Sequence, residues 1–177
     1  MTDFKTTIGF AAVIVLIVVS SNILVQYPLS DWLTWGAITY PFAFLVVDLA
    51  NRFQGPLMAR RIVYVGFIVA LLLSAWLATA RIAIASGTAF LCAELLDVTI
   101  FNRLRRLAWW KPPLVSSLLA SAVDTAIFFT LAFAGTDMPW VTLALGDLGV
   151  KVAIALFALL PFRLALALFR PRADVVG

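Results

Sequence analysis

Five acidic side chains and one lysine lie inside long apolar stretches of the sequence. They are Asp48, Glu94, Asp97, Asp124, Asp147 and Lys151. A carboxylate that faces lipid at mid-bilayer depth costs about 2.5–3.5 kcal/mol on insertion scales, so we expect these groups to face a protein interior. Because five carboxylates share one lysine, some of them are either protonated or await a ligand that brings hydrogen-bond donors or positive charge.

The spacing of the polar residues places them on shared helix faces. Glu94 and Asp97 are three residues apart, so they project from the same side of a helix. Asp48 and Asn51 are also three residues apart, and Ser117, Ser121 and Asp124 follow one another at spacings of four and three. The candidate binding residues are Asp48 and Asn51, Glu94 and Asp97, the row Ser117, Ser121 and Asp124, and Lys151.

Structural roles stay open for some of these residues. Asp147 and Lys151 are four apart on one predicted helix and could simply neutralise each other. Ser117 and Ser121 form a small-xxx-small pattern that could serve helix packing alone.

Two aspartates near predicted helix ends have a further alternative. Asp48 and Asp97 could reach interfacial water or the neighbouring Arg52 and Arg103. Asp124 and Glu94 have no cation within a turn of their own helices, which favours a functional role for both.

The segments that carry these residues are long and apolar. The chain is 64% hydrophobic and 12% charged, with a mean hydropathy of +1.07. An apolar helix needs about 20 residues to cross a hydrocarbon layer of about 30 Å. The sequence therefore predicts an all-α membrane protein, with residues 1–177 forming a single transmembrane domain built as a six-transmembrane-helix bundle. The predicted spans are 7–25, 32–49, 62–80, 82–101, 114–134 and 140–162.

Basic residues fall in alternate connections between these spans. Eleven of them lie in the connections and termini predicted to be inside, whereas the predicted outer connections hold Arg81 alone. The positive-inside rule then places both the N-terminus and the C-terminus in the cytoplasm. The eleven are Lys5, Arg52, Arg60, Arg61, Arg103, Arg105, Arg106, Lys111, Arg163, Arg170 and Arg172.

Two spans are predicted to depart from a straight helix. Pro41 lies within span two and cannot donate to the carbonyl of Ala37, which predicts a kink. Span four begins near Arg81 and contains Ser86-Gly87-Thr88, which favours an irregular or re-entrant start.

Several classes of protein lack their residues in this sequence. There is no histidine, the one cysteine is Cys92 within span four, and no Gly-rich phosphate loop is present. Nucleophile–base pairs, zinc sites and ATP sites are therefore not expected. A membrane aspartyl protease is disfavoured, because Leu145-Gly146-Asp147 is the closest approach to the Gly-x-Gly-Asp type of motif. We expect no enzyme, no cofactor, no metal and no nucleic-acid partner.

Ordered motifs run along most of the chain. They are Tyr40-Pro41-Phe42, Phe44-Leu45 and Asp48; Ala85-Ser86, Asp97 and Phe101; Ser116-Ser117, Asp124-Thr125-Ala126-Ile127-Phe128 and Ala132-Phe133; and Lys151 and Pro161. In these motifs the sequence resembles the queuosine precursor transporter family, also called the VUT family. The resemblance implies a multi-pass importer in the bacterial inner membrane. Its substrates would be 7-deazaguanine precursors of the tRNA base queuosine: the 7-cyano form, the 7-aminomethyl form and, in some members, queuine.

The implied substrates fit the chemistry of the acidic residues. A guanine-like edge offers an N1–H and a 2-amino group, a pair of donors that one carboxylate can accept, and an aminomethyl cation would need a second carboxylate. The candidates are Asp48, Asp97 and Asp124, with Phe90 or Phe128 available for stacking. Lys151 could bind the purine carbonyl or hold Asp147. Glu94 stands where the family commonly has glutamine, a departure that bears on substrate preference.

Other functions remain open at this stage. A secondary importer with alternating access could use proton symport or facilitated diffusion. The chain could instead be the substrate-binding subunit of a multi-component vitamin-type importer, a transporter of another small polar heterocycle, or a structural membrane protein. The expected partners are a small-molecule substrate and the lipid bilayer, and a homodimer is left open.

Overall fold

The computed structural model describes residues 2–169, with side-chain surroundings from residue 7 onward. The elements are α1 (Thr2–Leu24), β1 (Pro28–Ser30), β2 (Leu33–Thr34), α2 (Gly36–Thr39), α3 (Phe42–Gln54), α4 (Pro56–Leu77), α5 (Ala80–Leu104), α6 (Lys111–Phe133) and α7 (Trp140–Leu168). Three basic residues of the topology prediction lie outside these limits, namely the side chain of Lys5 and all of Arg170 and Arg172.

Helices α1, α4, α5, α6 and α7 are long and apolar enough to cross a membrane. Large apolar side chains cover their outer surfaces, and Trp76 is 85% exposed. A soluble protein does not expose so continuous an apolar surface, whereas lipid solvates it readily. The prediction of an all-α, multi-pass membrane protein is therefore confirmed.

The region predicted as span two has a different structure. The predicted start at Trp32 is wrong, because β1 and β2 form an antiparallel hairpin there, closed by the Trp35 N–H donating to the Tyr27 carbonyl at 3.2 Å. The helix that follows is divided into α2 and α3, with Tyr40 and Pro41 between them. The 13 residues of α3 extend about 20 Å, less than the hydrocarbon thickness.

The predicted irregular start of span four is wrong. The hydroxyl of Thr79 accepts the N–H of Ile82 at 3.2 Å, and this N-cap starts a regular α5. The Ser86-Gly87-Thr88 segment lies well inside that helix. A Cβ at Gly87 would lie 3.1 Å from the Phe67 ring, so the small residues serve close packing of α5 against α4.

Side-chain contacts define the two ends of the bundle. At one end, which we call the hairpin end, the Thr142 hydroxyl donates to the Asp31 carbonyl at 3.0 Å, and the Arg81 Nη2 donates to the Ala134 carbonyl at 2.6 Å. At the other, which we call the arginine end, the Arg105 guanidinium joins the end of α5 to the end of α3. Consecutive long helices therefore run between these ends in alternate directions.

Glycine at position 36 lets α2 lie directly on α1. A Cβ there would be 2.7 Å from the Ser21 carbonyl oxygen and 2.9 Å from Val25 Cβ. At the hairpin end, Gly146 in α7 has a similar role, because a Cβ there would overlap the carbonyl oxygen of Trp32. These contacts hold the hairpin and α2 over the interior of the bundle.

Gly36→Ala is expected to destabilise the protein by about 1–3 kcal/mol, because the added methyl group must push α1 and α2 apart. Gly149→Ala is the matched control, since nothing lies within 4 Å of a Cβ at that helical position. Thermal unfolding in detergent measures both. Equal melting temperatures for the two variants would show that the contact between α1 and α2 is not tight.

Candidate functional site

A buried ion network lies where α6 and α7 meet. The Lys151 Nζ donates to Asp124 Oδ2 at 2.7 Å and to Thr125 Oγ1 at 2.9 Å, and it pairs with Asp147 Oδ2 at 2.5 Å. Lys151 is only 2% exposed. Charges so far from water persist only when they are paired and hydrogen-bonded.

Tyr40 completes this network from the break between α2 and α3. Its hydroxyl donates to Asp124 Oδ1 at 2.7 Å, and its ring centroid lies 5.2 Å from Lys151 Nζ. The Thr125 hydroxyl in turn donates to Asp147 Oδ2 at 2.8 Å. All three donors of the lysine ammonium are therefore used. With both aspartates ionised, the network carries one net negative charge.

A first cavity, of about 30 Å³, adjoins the network on the side of the hairpin end. Asn22 lines it and donates its amide to the Ser74 hydroxyl at 2.8 Å. The Ser86 hydroxyl also lines it, buried and without a hydrogen-bond partner among the described residues. The remaining polar and aromatic lining comprises Ser21, Tyr40, Asp124, Phe128, Asp147 and Lys151.

A second cavity, of about 10 Å³, adjoins the network on the side of the arginine end. There the Ser117 hydroxyl donates to Asp48 Oδ2 at 3.2 Å. Lys151 lines this cavity as well as the first. Since a single water needs about 10–15 Å³, both cavities are too small for a larger ligand in this conformation. Other lining residues are Pro41, Phe44, Pro113, Ser121 and Phe162.

The predicted site residues are thus divided between several places. Asp124 and Lys151 lie at the first cavity, and Asp48, Ser117 and Ser121 lie with Lys151 at the second. Glu94, Asp97 and Asn51 line neither.

Asn51 has a structural environment. Its amide donates to the Val98 carbonyl at 3.3 Å, and its own carbonyl accepts from Arg105 Nη2 at 2.7 Å. The same Arg105 nitrogen contacts its side-chain oxygen. Asn51 therefore joins α3 to α5 at the arginine end.

Glu94 and Asp97 are buried completely, at 0% exposure. Asp97 lies beside Asp48 and Ser116, but neither its two oxygens nor those of Glu94 have a hydrogen-bond partner among the described residues. Pairing of Asp48 or Asp97 with a nearby arginine, the alternative that the sequence left open, is not seen in residues 7–169, where Lys151 forms the ion pairs.

Sequence reasoning missed several members of the site, namely Asn22, Tyr40 and Ser86 at the first cavity and Thr125 in the ion network. Each is a polar residue in an apolar stretch of the sequence, and that signal could have found them. Tyr40 stood in the motif before Pro41, but its contact with α6 depends on the position of the helix break. Asp147 was interpreted only as a partner of Lys151, and it also lines the first cavity.

Buried charges beside cavities between the helices of a membrane bundle are typical of a transporter. The sequence model of the family described as "Putative vitamin uptake transporter" matches residues 34–80 and 74–166. The chain belongs to this family of transporters, and it is not an enzyme.

Three curated relatives agree with this assignment. The "Queuosine precursor transporter" of Escherichia coli is 39% identical over 175 residues, covering 82% of this chain and 79% of the relative. The "Probable queuosine precursor transporter" of Haemophilus influenzae is 32% identical, covering 83% and 80%, respectively. That of Bacillus subtilis, with the same description, is 27% identical, covering 71% and 68%. No solved structure matches the chain.

Lys151→Met is expected to destabilise the protein by about 3–5 kcal/mol, because it leaves two aspartates buried without a cation. Adding Asp147→Asn should restore part of this loss, since it removes one uncompensated charge. Lys111→Met, at an exposed position, is the matched control. Melting temperatures in detergent measure all three, and an additive double variant would contradict a coupled network.

Proposed function

We propose that this protein imports queuosine precursors across the bacterial inner membrane, as a secondary transporter that works by alternating access. The relatives described as queuosine precursor transporters support the substrate class. The observation that carries the mechanism is the position of Lys151, which lines two separate cavities and is paired with Asp124 and Asp147 at the first of them.

We propose six membrane crossings with both termini in the cytoplasm, within one transmembrane domain. Helices α2 and α3 together form the second crossing, since neither alone is long enough. The arginine end then lies in the cytoplasm, in agreement with the positive-inside rule. The break between α2 and α3 lies beside the binding site, and discontinuous helices at mid-membrane sites recur in transporters.

Asp124 is the proposed receptor for the guanine-like edge of the substrate. Its two oxygens now accept from Tyr40 and from Lys151, and both positions suit the N1–H and 2-amino donors of a 7-deazaguanine. A precursor that approaches through the first cavity would therefore replace Lys151 on Asp124. Phe128, which lines the same cavity, provides an aromatic face for the ring.

Replacement of Lys151 by the substrate on Asp124 is the proposed step that closes the site to one side of the membrane and opens it to the other. While Lys151 binds both aspartates, α6 and α7 are joined at the level between the two cavities. Once the substrate takes a place on Asp124, that connection weakens and α7 can move relative to α6. Pro161, which interrupts the hydrogen bonding of α7 near the second cavity, gives that helix a place to bend. An aminomethyl substituent could then pair with Asp147.

Asp124→Asn is expected to reduce precursor uptake at least tenfold, because a hydrogen bond to a charged group contributes about 1.5–3 kcal/mol. Tyr40→Phe should reduce uptake less, since it removes one neutral donor. Asp137→Asn, an exposed position in the loop before α7, is the matched control. The assay is queuosine in the tRNA of a bacterium that can neither make nor import the precursors, with each precursor supplied in turn.

Normal tRNA modification with Asp124→Asn, at wild-type protein levels, would contradict this site. If the wild-type protein is inserted and stable but no precursor gives queuosine in tRNA, import by this protein alone would be contradicted. That second result would favour a binding subunit that needs a separate ATPase.

A further inference from the structure

Glu94 is a fully buried carboxylate that the proposed substrate site does not use. It lies in the middle of α5 at 0% exposure, and neither of its oxygens has a hydrogen-bond partner among the described residues. A carboxylate that serves only the fold is normally hydrogen-bonded or paired, since a buried ion without partners costs several kcal/mol. The environment of Glu94 therefore suits the neutral, protonated carboxyl better than the ion.

The charged groups that face Glu94 increase this effect. Asp97 lies one turn further along α5, and Asp124 acts on Glu94 from α6. Asp48 of α3 lies beside Asp97 and also faces Glu94. Every one of these charged neighbours is a carboxylate, and the Tyr40 hydroxyl, which also interacts with Glu94, donates its proton to Asp124.

Cations from the other packed helices do not reach the cluster. Residues 7–24 of α1 contain no titratable side chain, and Arg60 and Arg61 of α4 are exposed. At the arginine end, Arg52 and Arg105 donate to each other's backbone carbonyls. Lys151 is held by Asp124 and Asp147.

Resting on the proposed import function, we propose that Glu94, Asp97 and Asp48 form a proton-binding site that couples uptake of the precursor to the proton gradient. Three buried carboxylates whose charges act on one another, with no cation paired to any of them in residues 7–169, cannot all be ionised in a dry interior, so they hold protons. A metal ion is disfavoured, because residues 7–169 contain no group of three acidic, His or Cys side chains placed to hold one.

Glu94 is the proposed link between the two sites. Because its charge acts on Asp124, a proton on Glu94 lowers the repulsion that Asp124 experiences once Lys151 has been displaced by the substrate. Loading the proton and loading the precursor thus favour each other. Release of the proton to cytoplasmic water restores the negative charge and favours return of Lys151 to Asp124.

The test uses purified protein in liposomes with labelled 7-cyano-7-deazaguanine. Because this substrate is uncharged, its own charge contributes nothing to the driving force for its accumulation. One assay measures exchange of label with no gradient, and the other measures accumulation with the outside one pH unit more acidic. We expect exchange in the first and, for one proton per substrate, accumulation up to about tenfold in the second. A protonophore should abolish the accumulation, and a sodium gradient should not replace the pH gradient.

Variants then assign the coupling to Glu94. Glu94→Gln should lower the ratio of accumulation to exchange to that of simple equilibration, whereas Asp137→Asn should keep the wild-type ratio. Exchange by the wild-type protein without accumulation in the pH gradient would overturn the proton site and leave the import function standing. Accumulation driven by sodium, or normal accumulation by Glu94→Gln, would also overturn it. Absence of exchange with any precursor would overturn both proposals.

Discussion

The pairing of Lys151 with Asp124 and Asp147 is the interaction on which the rest of this structure depends. It brings a positive charge to the centre of an apolar bundle, where it is stable only with both aspartates and Thr125 around it. It also joins α6 to α7 at the level that separates the two cavities. A contact of this kind is both a structural connection and a place where a ligand with similar donors can compete.

The irregular elements of the fold serve to complete that site. Helix α2 ends at Thr39 and α3 begins at Phe42, because Pro41 has no N–H with which to continue the helical hydrogen bonding. From this break the Tyr40 hydroxyl donates to Asp124. Gly36 brings α2 onto α1, and Gly146 lets the hairpin rest on α7, so the first cavity is covered at the hairpin end. The departures from regular structure thus occur where the interior must receive polar groups.

The sequence predicted the features of the protein that depend on one helix at a time. Apolar length gave the membrane helices, and the four-residue spacing placed Asp147 and Lys151 on one face. The sequence could not predict the contacts between helices, because they depend on how each helix is rotated and where α2 ends. For that reason the pairing of Lys151 with Asp124, the role of Tyr40 and the attachment of Asn51 to Arg105 emerged only from the structure.

In the proposed mechanism, the Lys151 network separates two cavities that open in turn. Labelling with a membrane-impermeant thiol reagent tests this most directly, with Ser86→Cys in the first cavity, Ser117→Cys in the second and Cys92→Ser in both. In vesicles of known orientation, adding a precursor should change labelling at the two positions in opposite directions. Labelling that is unaffected, or that changes in the same direction at both positions, would contradict alternating access to the two cavities.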